Sequence, residues 1–189
     1  MGVDETLRCA VSFILMVFLW NHFLNILNKE RKMRRIGMMV AVILLSVVGL
    51  AAADRLDQEK ARLERNKQTV TAFYTTFMND HDPEGAMKKY VGAEYRQHNP
   101  FVRDGKEGFI AAFKDLFQRN PKARMEIKRV VAEGDFVVVH VHHLDPTGGK
   151  GRASMDWFRL DSDGKVVEHW DVMQWVPEDN EVKNRNTMF

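Results

Sequence analysis

The chain has 189 residues, with 28 Lys+Arg against 26 Asp+Glu, 45% hydrophobic residues and a single cysteine. One cysteine, Cys9, excludes a disulfide-stapled scaffold. Six basic and three acidic residues precede position 54, leaving 22 against 23 in residues 54–189, so no net positive charge there argues for nucleic acid.

Two apolar runs free of Asp, Glu, Lys and Arg open the chain, at 9–27 and 36–53. Between them lie Lys29, Arg31, Lys32, Arg34 and Arg35. The second run reads as a signal peptide. Arg34-Arg35 form its basic end, 38–48 its apolar centre, and Ala51-Ala52-Ala53 a small-residue cleavage site before Asp54. Met33 stands directly before the basic pair, so it is the expected start, and 1–32 an over-extended frame. A membrane anchor is the alternative, because each run approaches the roughly 20 residues that span a bilayer. The expected organisation is a leader at 1–53, one domain at 54–177 and a polar, loose tail at 178–189. Export to the periplasm or outside follows, with membrane contact only through an uncleaved leader.

Residues 54–80 carry Leu56, Leu63, Val70, Phe73, Tyr74 and Phe77 at helical spacing. Asp82-Pro83 starts a short helix that ends by Gly92. Residues 95–102 form a loop or short strand broken at Asn99-Pro100. Asp104 and Glu107 have capping-box spacing before a helix with the stripe Phe109, Ile110, Phe113, Leu116 and Phe117. Four strands follow, at 124–132, 136–144, 152–160 and 166–176. The turn Glu133-Gly134-Asp135 and the hairpin Asp163-Gly164 separate two of the pairs. Helices first and an antiparallel meander after them predict an α+β fold.

Strand alternation groups the chemistry. His140 and His142 share a face with Phe136 and Val138, whereas His143 shares the other face with Val137, Val139 and Val141. In the last strand His169 and Asp171 lie on the face of Met173 and Trp175, and Asp156 lies with Ser154 and Phe158. If these faces meet, one cavity holds His140, His142, Asp156, His169 and Asp171, closed by His98 from the loop. Tyr74, Phe113, Phe158, Met173 and Trp175 supply its apolar lining. Histidine titrates near neutral pH, and a desolvated carboxylate is pushed toward a useful value for a base. Structural His–Asp pairing is the plainer reading of the same residues. A His-x-His strand also suits Zn²⁺ or Fe²⁺, with His140, His142 and His169 as the alternative ligand set.

Residues 97–113 (QHNPFVRDGKEGFIAAF) and 156–177 (DWFRLDSDGKVVEHWDVMQWVP) resemble the SnoaL-like, polyketide-cyclase-like branch of the nuclear-transport-factor-two-like superfamily. The resemblance covers roughly 70–177. It implies a cystatin-like cone, a curved antiparallel sheet wrapped around N-terminal helices with a deep pocket at its open end. It also implies cofactor-free acid–base chemistry on an enolisable carbonyl, of aldol, cyclase, isomerase or lyase type. Asp171 would be the base, with His169, His142 and His98 orienting it or stabilising an enolate. A homodimer is implied too. A non-catalytic binder of a small hydrophobic molecule is the alternative.

Overall fold

The computed structural model describes residues 12, 16 and 32–189. Apart from residues 12 and 16, the apolar run 9–27 lies outside the described residues, as does most of the over-extended stretch expected at 1–32. The chain divides into two units, Met1–Arg55 and Leu56–Phe189. Helix α1, Lys32–Tyr74, begins well before the expected position 54. Nothing at that junction breaks a helix, since Ala51, Ala52 and Ala53 have the highest helix propensity. Among the described residues, no helix is long and apolar enough to cross a membrane.

The second unit is α+β. Val70, Phe73 and Tyr74 at the end of α1 are buried. Thr75 Oγ1 then donates to the Thr71 carbonyl at 2.9 Å, and the chain widens into one i→i+5 turn over Thr75–Asn79, closed by Asp80 N on Thr75 O at 3.0 Å. This wide turn keeps Phe77 and Met78 inside. Asn79 at its end clamps a strand, accepting from Met125 N at 2.9 Å and donating to Met125 O at 3.2 Å.

Helix α2, Pro83–Tyr90, starts as expected, with Asp82 accepting from Gly85 N at 2.8 Å. Strand β1, Val91–Gln97, takes up the start of the stretch expected as a loop or short strand and begins four residues earlier. Helix α3 is Gly105–Arg119, capped by Asp104. The expected capping box does not form, because Asp104 Oδ1 instead accepts from Gln97 N at 2.8 Å and ties the helix start to β1.

Strands β2 (Arg124–Glu133), β3 (Phe136–Leu144), β4 (Arg152–Leu160) and β5 (Val166–Trp175) lie where alternation and turns put them. The sheet order is β1-β5-β4-β3-β2. The β2–β5 ladders are antiparallel, but β1 runs parallel to β5, with Gln97 opposite His169. The sheet is thus mixed rather than wholly antiparallel, and it does not close into a barrel.

One sheet face packs on the helices. Val137, Val139 and Val141 are fully buried there, so β3 turns His143 inward and His140 and His142 outward. Phe73 packs on Phe77, Phe109 and Phe158 at centroid separations of 4.9, 5.6 and 5.9 Å. Phe73→Ala is expected to cost about 3–5 kcal/mol, read as a lower urea midpoint.

Candidate functional site

The inner sheet face, the end of α1 and helix α3 enclose a cavity of about 600 Å³. Its floor is aromatic, with Phe73, Tyr74, Phe77, Phe109, Phe113 and Phe158. One wall is polar and comes from two neighbouring strands and the loop after β1. The parallel pairing of β1 and β5 explains this, since it sets Gln97 and Asn99 beside His169 and Asp171.

The hydrogen bonds of this wall fix which atoms donate. Asn99 N can only donate and faces Gln97 Oε1 at 2.9 Å, so Gln97 presents an acceptor. The same oxygen faces His169 Nδ1 at 2.9 Å, which must therefore carry a hydrogen. On the far side of the ring, His169 Nε2 meets Asp156 Oδ1 at 3.2 Å, two atoms that bond only with one proton between them. Ser154 Oγ donates to Asp156 Oδ2 at 2.6 Å, and His143 Nε2 donates to Ser154 Oγ at 2.8 Å. Burial alone would push the Asp156 carboxyl up, but the hydrogen bond and charge of His169, with Ser154 and Tyr74, hold it below its ordinary value. Asp156 is thus held as a carboxylate between the His169 ring and the Ser154 hydroxyl. Burial holds the His143 imidazole below its ordinary value, which keeps it neutral at pH 7.

Asp171 has a different setting. Phe101 N donates to Asn99 Oδ1 at 2.8 Å, which turns Asn99 Nδ2 toward Asp171. That nitrogen lies 2.9 and 2.7 Å from the two Asp171 oxygens. Asp171 is half-buried and lines the cavity, whereas Asp156 is 2% exposed. Oxygen or nitrogen atoms of Asp156, His169 and Asp171 lie within 4.8 Å of one another. Among the described residues this is the one group whose donor atoms could hold a metal ion.

A family model for the SnoaL-like domain matches residues 70–169. The chain belongs to the SnoaL-like family, within the nuclear-transport-factor-two-like superfamily. Solved structures agree on the fold. A SnoaL-like protein of unknown function from Burkholderia thailandensis is 19% identical, with a TM-score of 0.50 over 58% of this chain and 95% of that one. A provisionally assigned polyketide cyclase from Bacillus cereus is also 19% identical at 0.50, over 61% of this chain and 75% of that one. A provisionally assigned SnoaL-like isomerase from Agrobacterium tumefaciens is 16% identical at 0.50, over 60% and 98%. No curated protein matches the chain.

The cavity of this SnoaL-like domain gathers Asp156, His169, Asp171, Tyr74, Phe113, Phe158 and Met173 from the sequence reading. It does not gather His140, His142, His98 or Trp175. His140 Nδ1 pairs with Arg129 at 3.0 Å on the outer face, and His142 Nε2 bonds the Lys150 carbonyl at 2.9 Å. The tail expected to be loose folds back there, and Phe189 stacks on His142 at 4.1 Å. His98 bonds Glu168 at 2.9 Å and stacks on Trp170 at 4.6 Å, again on the outer face. Trp175 is 69% exposed beside the Arg152 guanidinium, 5.1 Å from its ring. The alternative metal set fails for the same reason: His140 and His142 face away from His169. The expectation that a buried carboxylate here is raised also fails for Asp156, because paired donors outweigh desolvation.

Asn99, Gln97, Ser154 and His143 were not singled out. His143 was visible in the sequence as the histidine on the all-valine face of β3. Asn99 and Gln97 sit around a proline break, where no periodicity marks a direction.

Proposed function

We propose that this SnoaL-like domain is a cofactor-free acid–base enzyme on a small hydrophobic carbonyl compound. Asp171 is the general base that removes a proton α to the carbonyl. The observation that carries this reading is the contrast between two neighbouring carboxylates. Asp156 is buried and committed to His169, while Asp171 lines the cavity and is held only by a neutral amide. The His169 ring, held by Gln97 and Asp156, lies on the same wall beside the base and orients the reacting group. Asn99 keeps both Asp171 oxygens in place, and the aromatic floor excludes water. The test is solvent exchange: a panel of aryl ketones in D₂O, followed by NMR, gains deuterium at the α-carbon with the protein and not with buffer. A binder that takes up the ketones without any exchange over days would replace this reading.

Two further elements belong to the proposal. Export is supported by the basic pair, apolar centre and alanine end of 33–53. The exported protein is expected to begin at Asp54 by N-terminal sequencing; a retained residue 33 would favour the anchor. A second copy of the chain is proposed as the partner of the outer sheet face. Met155, Trp157 and Val172 are 40%, 48% and 70% exposed there, on adjacent strands β4 and β5, a denser apolar group than a monomer face needs. Trp157→Glu is expected to halve the mass seen by light scattering; a wild-type monomer would discard the dimer.

A further inference from the structure

The cavity's charged groups are unevenly partnered. Asp156 faces His169 within hydrogen-bond distance, and Arg119 on the lining pairs with Asp115 beside it. Two guanidinium groups of the lining remain. Arg103 comes from the loop before α3, and Arg152 opens β4. Neither has a carboxylate partner among the described residues, and Arg152 rests on the Trp175 ring at 5.1 Å. Arg152 is on the inner face, opposite His143 in one neighbouring strand and Trp175 in the other. Its charge reaches the cavity, as its depressing effect on the His143 imidazole indicates.

From this arrangement we infer that the substrate is an aromatic or similarly flat apolar compound carrying an anionic group, which Arg152 receives, with Arg103 as a second guanidinium on the same lining. This inference rests on the acid–base reading for the reaction and adds the substrate class. The register gives a length. Asp171 pairs with Asp156, and Arg152 lies four residues earlier on the same strand and face. At about 3.3 Å per residue, the backbone positions of Arg152 and Asp156 are roughly 13 Å apart along the strand. The anionic group and the reacting carbon therefore belong at opposite ends of the bound molecule. A guanidinium fork suits a planar carboxylate or a sulfonate, and a site partly shielded from water strengthens the pairing.

The probes are 1-anilinonaphthalene-8-sulfonate and its uncharged counterpart N-phenyl-1-naphthylamine, titrated by fluorescence into the full chain. The sulfonate is expected to bind about tenfold tighter, a difference of 1.4 kcal/mol. In Arg152→Gln/Arg103→Gln the advantage falls to about twofold, while the neutral probe binds as before. Arg152→Lys, which keeps the charge, retains most of the preference. Equal affinities in the wild type would overturn the inference, as would a sulfonate preference that survives the double glutamine variant. A sulfonate signal lost in Trp157→Ser would place the probe on the outer face and also overturn it. The two readings fail separately. Anion preference without solvent exchange removes the acid–base chemistry alone, and exchange without anion preference removes the substrate class alone.

Discussion

Asp171→Asn is expected to lower α-proton exchange by about 10²- to 10⁴-fold, the usual contribution of a positioned general base. The amide fills the same space, so the melting temperature and ligand affinity stay near those of the wild type. Asn99 Nδ2, which faces both Asp171 oxygens at 2.9 and 2.7 Å, would meet one oxygen and one NH₂ group in the variant and keep a single bond. The effect is therefore on turnover and not on the fold. Exchange kinetics with wild-type and variant protein at equal concentration decide it. An unchanged rate would remove Asp171 from the mechanism and assign the base to another group of the cavity.

Asp156→Ala is expected to act on stability. It removes the partner of His169 Nε2 and of Ser154 Oγ together, and leaves a buried imidazole and hydroxyl unsatisfied. Breaking a buried pair from one side costs about 3–5 kcal/mol, measurable by urea denaturation at pH 7. The pH dependence has a definite sign. The folded protein holds the Asp156 carboxyl below its ordinary value of 3.8. The unfolded chain then binds the proton more readily, so this group stabilises the fold at all pH values above about 3.8. The contribution is lost as pH falls through the depressed native value. The deficit of Asp156→Ala relative to wild type should therefore shrink below pH 3.8. A deficit of equal size at pH 7 and at pH 2.5 would show that the carboxylate charge is not its source.

The strands were legible because alternation and turn residues agree along 124–176. Which face of β3 turns inward was not legible from alternation alone. Both faces of that strand are apolar, and the choice depends on packing against α1 and α3. The all-valine face of Val137, Val139 and Val141 is the one with no polar group before His143, and it is the buried one. Reading His140 and His142 as inward was a one-residue error of face, which sent two histidines to the wrong side. Their actual partners, Arg129, the Lys150 carbonyl and Phe189, lie far apart in sequence and leave no local pattern. Asp156, His169 and Asp171 were found because the hairpin at Asp163-Gly164 fixes the faces of β4 and β5 together. The long α1 was missed at its start, because charge content changes near residue 54 while helix propensity does not.

The parallel pairing of β1 with β5 has a consequence for how the domain is made. The ladders from β2 to β5 join consecutive strands, and each can zip from its own turn as the chain emerges. The ends of the polar wall cannot, since Gln97 and Asn99 meet His169 and Asp171 across 72 residues of intervening chain. A nascent chain that stops before Val166 can collapse its helices onto three strands, yet it lacks both His169 and Asp171. Closure of the sheet at β1 and completion of the polar wall therefore arrive in the same late event.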